Sequence, residues 1–472
     1  MKILLIMPDA HMHKLRLGKL RISLREMPIT LCVLAALTPK HPGIELKLVD
    51  GSVEDIPYDY PADLVGISAI TGCANEAYAI SARFREKRVP VVLGGIHVTL
   101  LPDEAKKHAD AIVVGPGEEA WPRLVNDFMA GRMRKTYFGE PLGPGEPLAG
   151  IPTPLWHLQR TRRYMVAGTV EATRGCGRSC DFCTVPAIWR GHAKRPVADV
   201  IRDIKLAPGK YIAFGDVSLA EDPEYAKELL SAMVPLGKKW GGLATVDIIR
   251  DEELLSLIAA SGCVFLLFGF ESASQATLSG IRKGFNKPAE YKRLVDRIHA
   301  LGVSVQGCFV FGFDHDTLEV FDDTVEMVNE LKIDIPRYSL YTPYPGTRLF
   351  KRLLAEKRIT SFNWSDYDTM HVVFEPANMT PDELYAGFKH AYAKTFELGN
   401  IFKRARGFSV NTAVNFVGNL AYKTFVRRLA RDPRFATPSM PPPHPSADSA
   451  EKCNAAAFPD ALAPREEGSA NA

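Results

Sequence analysis

The chain has 472 residues, 46% of them hydrophobic and 24% charged, and its 58 basic and 55 acidic side chains leave a formal net charge of +3. That length predicts two or three domains at ~150 residues each, and the composition excludes a disordered or fibrous protein. So small a net charge excludes a whole-molecule electrostatic partner such as duplex DNA; no nucleic-acid partner is expected, and any basic site must be local. Apolar runs such as Leu31 to Leu37 and Cys263 to Phe270 fall well short of the ~20 residues that span a bilayer. The stretch Met1 to Pro8 reads as a buried strand rather than a secretory leader, so the expected location is cytoplasmic. Three of the eight cysteines are packed between Cys176 and Cys183, which suits metal ligands in a reducing compartment better than a disulfide framework.

From residue 1 to 135, short apolar runs alternate with helical stretches. Strands are predicted at KILLIM, IELKLV, DLVGISAI, PVVLGG and AIVVG, and helices at Ile29 to Thr38, Asn75 to Glu86, Pro102 to Ala109 and Glu118 to Ala130. This α/β alternation predicts a flavodoxin-like, doubly wound parallel sheet, whose ligands lie beyond the carboxyl ends of the strands. Residues 136–165 are rich in Gly and Pro around PLGPGEP and read as a linker. Across residues 166–375 a second series follows: GTVEAT, YIAFGDV, LATVDII, CVFLLFGFES, SVQGCFVFGF and PRYSLYTPY, with helical stretches near Val197, Glu224, Asp251, Ala289, Leu318 and Arg348. Six such pairs predict a partial (β/α)6 barrel with its chemistry at the carboxyl-terminal strand ends. Residues 376–430 read as helical, opened by Thr380, Pro381 and Asp382, and residues 431–472, rich in Pro, Ala and Ser, as a disordered tail.

The strongest chemical signal is Arg174, Gly175, Cys176, Cys180 and Cys183, at the end of the first strand of the second series. Three thiolates within eight residues suit a loop wrapped around an iron–sulfur cluster. A structural zinc takes four ligands and a four-cysteine cluster is closed, whereas three cysteines leave one iron open to a substrate or cofactor. The alternatives are a zinc site completed by a histidine such as His192, or unrelated packed cysteines.

The CxxxCxxC spacing at this strand end resembles that of the radical S-adenosylmethionine (SAM) superfamily. The resemblance implies a [4Fe-4S] cluster on Cys176, Cys180 and Cys183, with SAM chelating the open iron. An electron from a donor such as flavodoxin or ferredoxin would then cleave SAM to a 5′-deoxyadenosyl radical. The same resemblance places Phe182 near the adenine, Asp216 of FGD on the SAM amino group, Glu271 of FGFES on the ribose, and backbone groups from Phe309 to Gly312 beside the adenine. Each has a plainer reading: Phe182 as a loop aromatic covering the cluster, Asp216 and Glu271 as helix-start carboxylates, and Gly312 as a strand bend.

The first domain resembles the cobalamin-binding module that precedes many radical SAM barrels. The matching residues are Ser68 and Thr71 in GISAIT, Gly94, Gly95 and His97 in GGIHVT, and Gly115, Gly117 and Glu118 in GPGEE. Glycine lets a bulky ligand approach the backbone, and Ser68 offers a hydroxyl to a phosphate or ribose. A nucleotide-binding or purely structural flavodoxin-like domain would carry similar glycines, and His97 reads either as a corrin contact or as a helix cap. The histidine-ligated module of methionine synthase carries DxHxxG after its first strand; this chain reads Asp9, Ala10, His11, Met12, His13, Lys14, without the glycine. Neither His11 nor His13 is therefore assigned to cobalt.

Cys263 and Cys308 lie in apolar strand runs and read as core residues, and Cys32, Cys73 and Cys453 make no second cluster motif. From Asn400 to Arg431 there are seven basic residues and no acidic one, interleaved with Phe402, Val414, Phe416 and Leu420. That stretch either lies on an anionic membrane surface, each cation contributing ~1 kcal/mol, or packs as a terminal helix with a solvated face. Over residues 1–375 the two modules together resemble the cobalamin-dependent radical SAM enzymes. The resemblance implies a methyltransferase acting on an unactivated carbon of a hydrophobic small molecule of the lipid or tetrapyrrole class. One SAM would methylate cobalt and a second would supply the radical. It leaves as alternatives a cyclase or rearrangement enzyme with the same cofactors, and a corrinoid-binding sensor that does not cleave SAM.

Overall fold

Runs of Val, Ile and Leu without polar alternation bury both faces of a strand, as a parallel sheet flanked by helices requires. The computed structural model describes residues 1–9, 14–17, 20–140, 142, 146–405 and 410–429. Its strands begin with β1 (Lys2–Met7), β2 (Lys14–Leu17), β3 (Leu20–Glu26), β4 (Glu45–Asp50), β5 (Leu64–Ser68), β6 (Val91–Gly94), β7 (Ala111–Val114) and β8 (Thr136–Phe138). The first sheet runs β4-β1-β5-β6-β7-β8, all parallel. Its crossovers leave in opposite directions on either side of β1 and β5, so the switch point where such sheets bind ligands lies at Met7 and Ser68. Ile6, Val65, Ile67 and Leu93 pack one face against Ile80 and Phe84, while Ile3 and Leu5 join Leu31, Trp121 and Leu124 on the other.

The sheet has six strands where five were expected, because segment 136–165, read as a linker, supplies β8 at the edge. Thr136, Tyr137 and Phe138 are good strand formers hidden beside Gly- and Pro-rich sequence; Tyr137 is buried and its hydroxyl donates to Asp127 at 3.1 Å. The same segment supplies β9 (Tyr164–Val166), which pairs in parallel with β3, while β2 and β3 form an antiparallel hairpin. This three-stranded sheet, inserted after β1, was not anticipated.

The remaining strands are β10 (Gly168–Val170), β11 (Thr173–Gly175), β12 (His192–Lys194), β13 (Tyr211–Phe214), β14 (Lys239–Ala244), β15 (Cys263–Glu271), β16 (Ser304–Phe311) and β17 (Ile335–Leu340). The second sheet takes them in sequence, β10-β13-β14-β15-β16-β17, all parallel and joined through helices, the partial barrel that the sequence predicts. Two local readings need correction. The strand expected at LATVDII begins earlier, at Lys239, and Val246–Arg250 is a 3-10 turn. Gly241 and Gly242 disguised it, yet glycine is needed there: a Cβ on Gly241 would fall 2.1 Å from the ring of Phe265. GTVEAT is divided, with β10 in the barrel and β11 turned out to pair antiparallel with β12.

Beyond the barrel, Thr380 and Glu383 form a capping box at the start of helix Pro381–Thr395, whose Tyr392 hydroxyl donates to the Tyr338 carbonyl at 2.9 Å. Helix Val410–Leu429 packs on it through Tyr422 and Phe396, stacked at 5.2 Å. Arg404, one of the cations of the basic stretch, is only 2% exposed and is bonded to Asn329, the Thr395 carbonyl and Asn419. His11, His13, Cys453 and the expected tail, 431–472, lie outside the described residues. No described helix is long and apolar enough to cross a membrane.

The two sheets are joined by a continuous buried cluster running from Ile3 and Leu31 through Trp156 and Tyr164 to Phe214 and Phe268. Polar joins reinforce it. Trp364 Nε1 donates to Glu104 at 2.8 Å, Asn75 bonds Asn363 at 2.6 Å, and the Tyr164 hydroxyl donates to Asp50 at 2.8 Å.

Candidate active site

The cysteine loop begins where β11 ends. Gly175 has φ +85°, and a Cβ there would fall 1.9 Å from the Gly191 carbonyl oxygen, so only glycine lets the chain turn into Cys176. Cys176, Cys180 and Cys183 are all half-buried and free of disulfides. Burial pushes the Cys176 thiol up to about 12 and the Cys180 thiol up to about 11, and Cys183 bears electrostatically on both. The loop is pinned by Asp181, whose amide donates to the Ile281 carbonyl, whose carbonyl accepts from Leu349, and whose carboxylate accepts from the Tyr341 hydroxyl at 3.0 Å. Phe182 is half-buried and meets Tyr341 edge-on at 6.0 Å.

Among the described residues no three His, Cys, Asp or Glu side chains converge on a single ion position. A cuboidal cluster does not ask for convergence, because each cysteine takes a different iron; three half-buried thiols on one short loop are a donor set that fits it.

A cavity of about 690 Å³ separates the carboxyl ends of the two sheets. The first domain contributes Ser68, Gly94, Gly95, Gly115, Gly117 and Glu118 to its wall; the barrel contributes Thr169, Glu171, Arg174, Gly175, Gly215 and Val217. The glycine turns are obligatory: a Cβ on Gly95 would lie 2.7 Å from the Ala69 carbonyl oxygen, and one on Gly115 would lie 2.5 Å from that of Gly139. Glu118 Oε2 is buried with no hydrogen-bond partner among the described residues. A cradle without side chains and an orphaned acceptor fit a large ligand whose rim carries amide donors, as cobalamin's does.

Other sequence-predicted residues stand elsewhere. His97 and Thr71 do not line the cavity. His97 is buried behind it, 3.4 Å from Thr71 Oγ1, 3.0 Å from the Tyr78 hydroxyl and 3.4 Å from Glu104. Asp216 is neither a helix cap nor free to meet an ammonium. At 1% exposure it accepts from the amides of Ala172 and Thr173 and from the Thr173 hydroxyl at 2.7 Å, fixing the chain that leads to the cysteines. Phe309 is a core residue stacked on Phe270 and paired with strands on both sides, and the Gly312 amide donates to Asp316 at 2.9 Å. Glu271 adopts φ +63° and pairs with Lys283 at 2.6 Å.

Lys283 and Glu221 escaped the sequence reading. Burial opposes the Lys283 charge, yet Glu271 and the neighbouring Cys180 and Cys183 hold its pKa above the usual lysine value. Glu221 accepts from the Gly177 amide at 2.8 Å and from the Cys176 thiol at 3.2 Å, and lines a second cavity of about 370 Å³ with Arg178, Asp247 and Phe285. In sequence Glu221 reads as an ordinary acid before a helix start, and Lys283 as one basic residue in IRKG.

Two parallel sheets thus face one cavity, and three half-buried cysteines follow the short strand β11 beside its wall. The B12 binding domain family matches residues 19–125 and the Radical SAM superfamily matches residues 170–328. The chain is 30% identical over 418 residues to the bacteriochlorophyllide d C-12(1)-methyltransferase of Chlorobaculum tepidum, covering 85% of this chain and 89% of that protein. It is 29% identical over 416 residues to the same organism's bacteriochlorophyllide d C-8(2)-methyltransferase, covering 84% and 91%. The radical SAM methyltransferase TsrM of Kitasatospora setae, solved with cobalamin and a [4Fe-4S] cluster, has the same fold at a TM-score of 0.67 and 16% identity, over 91% of this chain and all of that one. The chain belongs to the cobalamin-binding radical SAM enzymes, whose cofactors are a [4Fe-4S] cluster, SAM and cobalamin.

Burial pushes the Asp216 carboxyl up to about 7 from an ordinary 3.8, against its hydrogen bonds. Across that interval the folded chain keeps a proton that the unfolded chain has released, so stability falls as pH rises from about 4 to 7 and levels off above. Asp316, also raised to about 7, adds to the fall. Melting temperature measured against pH should decline less steeply in Asp216→Asn than in the wild type; parallel profiles would contradict this account of the carboxyl.

Proposed function

We propose that this chain is a cobalamin-dependent radical SAM methyltransferase that places a methyl group on an unactivated carbon of a hydrophobic tetrapyrrole. The observation that carries the reading is the shared cavity, walled by the glycine turns of the first sheet, by Thr169 and Gly215 of the barrel, and by Gly175, next to Cys176. When bound, SAM at the cluster supplies a hydrogen-abstracting radical and cobalamin supplies the methyl group. The chain's part is to hold and enclose. Cys176, Cys180 and Cys183 would hold the cluster, and Ser68, Gly94, Gly95, Gly115, Gly117 and Glu118 would cradle cobalamin. Phe182 and the Glu271–Lys283 pair would flank SAM, while Thr71 and His97 brace the cradle from behind.

The substrate class is supported by the names of the two Chlorobaculum relatives and by apolar lining such as Met27, Ile29, Ile70, Ile96 and Trp189, which suits a flat ring system. The required electron would come from flavodoxin or ferredoxin in a reducing cytoplasm. Peripheral membrane contact completes the reading, because Phe402, Val414 and Val417 are 61%, 57% and 66% exposed on the two helices that also carry Lys403 and Arg427.

Anaerobic reconstitution with iron, sulfide and hydroxocobalamin, followed by SAM, a reductant and a chlorophyllide-type tetrapyrrole, should yield both 5′-deoxyadenosine and S-adenosylhomocysteine. Cys180→Ala should lose the iron absorbance and at least 100-fold of the deoxyadenosine while still binding hydroxocobalamin. Deoxyadenosine without S-adenosylhomocysteine would instead indicate a cyclase or rearrangement. For the membrane contact, Phe402→Glu/Val417→Glu should lower co-sedimentation with anionic phospholipid liposomes several-fold; unchanged sedimentation would remove that part of the reading.

A further inference from the structure

Arg174 belongs to both halves of the site. It leaves β11 two residues before Cys176, donates Nη1 to Glu118 of the first domain at 2.7 Å, and grips Glu171 through Nε at 3.0 Å and Nη2 at 2.6 Å. Its guanidinium lies 4.9 Å from the ring centroid of Trp189. All four side chains line the large cavity. Glu118 thus spends one carboxylate oxygen on the arm of the cysteine loop and turns the other, buried and without a partner among the described residues, toward no protein donor.

We propose that Glu118 and Arg174 couple the two cofactor sites, so that cobalamin bound to the first domain tightens SAM binding at the cluster, and SAM tightens cobalamin binding by the same factor. The inference rests on the function proposed above. An amide N–H on the corrin rim is the donor that Glu118 Oε2 lacks. Once bonded there, the carboxylate is fixed in the rotamer that holds Arg174, and Arg174 fixes Gly175 and the entry to Cys176. A second ligand then meets a loop whose ordering cost has already been met, which appears as positive coupling. Linkage makes the effect reciprocal.

The test is the dissociation constant of SAM on cluster-reconstituted full-length protein, measured anaerobically by equilibrium dialysis without reductant, with and without saturating hydroxocobalamin. The wild type should bind SAM about 10-fold more tightly when cobalamin is present, within the usual range of such couplings. In Glu118→Gln and in Arg174→Lys, each compared at wild-type iron content and at saturating hydroxocobalamin, the ratio should fall to near one. Arg160→Gln, which breaks the Arg160–Glu54 pair (2.6 Å) outside the cavity wall, should keep the wild-type ratio. An equal ratio in wild type and Glu118→Gln, or no coupling in the wild type, overturns the proposal. Failure of the wild type to take up iron or hydroxocobalamin would overturn it at a different point, by removing the functional reading beneath it.

Discussion

A parallel sheet offers its backbone ends and turn residues to a ligand along one edge only, the carboxyl ends of its strands. Everything in this chain follows from turning two such edges toward one cavity. Radical chemistry on an unactivated carbon demands it, because a species able to remove that hydrogen must meet its target where it is made, with water kept away. The buried cluster from Ile3 to Phe268, the Trp364–Glu104 and Asn75–Asn363 bonds and the Tyr164–Asp50 bond hold the two edges in register.

The polar groups around the cysteine loop obey a second constraint, that a buried charge must be met on every side. Arg174 is shared between two carboxylates and an aromatic face, Lys283 is paired with Glu271, and Asp216 is enclosed by the amides it orders. Such networks add less to stability than apolar packing of the same volume, and breaking one partner is costly. Their return here is geometric: Asp216 fixes the Ala172 and Thr173 backbone that leads to Cys176, and Arg174 ties that strand to Glu118 of the first domain.

What could be read from the chain was what is local along it. The core strands stand out as continuous apolar runs and the helices by their period of 3.6, and the three cysteines carry their meaning in their own spacing. Gly241 and Gly242 concealed β14 because the glycine that close packing demands is the residue that argues against a strand. Thr136 to Phe138 were too short a run to stand out among prolines. His97 looked like a ligand contact because it follows a double glycine. On the short helix Ile96–Leu100, however, Ile96 and Thr99 share the cavity face and His97 points away to Tyr78 and Glu104. The partners that decide the site are remote in sequence: Asp216 meets Thr173 across 43 residues and Glu104 meets Trp364 across 260. No local pattern carries such pairings.

The facing of the two edges can be measured through the cofactors themselves. Electron paramagnetic resonance of reduced, cobalamin-loaded protein places two unpaired spins, one on the cluster and one on cob(II)alamin, in the same specimen. If both occupy the shared cavity, each signal should be broadened or split by the other relative to samples loaded with one cofactor. A spectrum that is the plain sum of the two single-cofactor spectra would contradict the account.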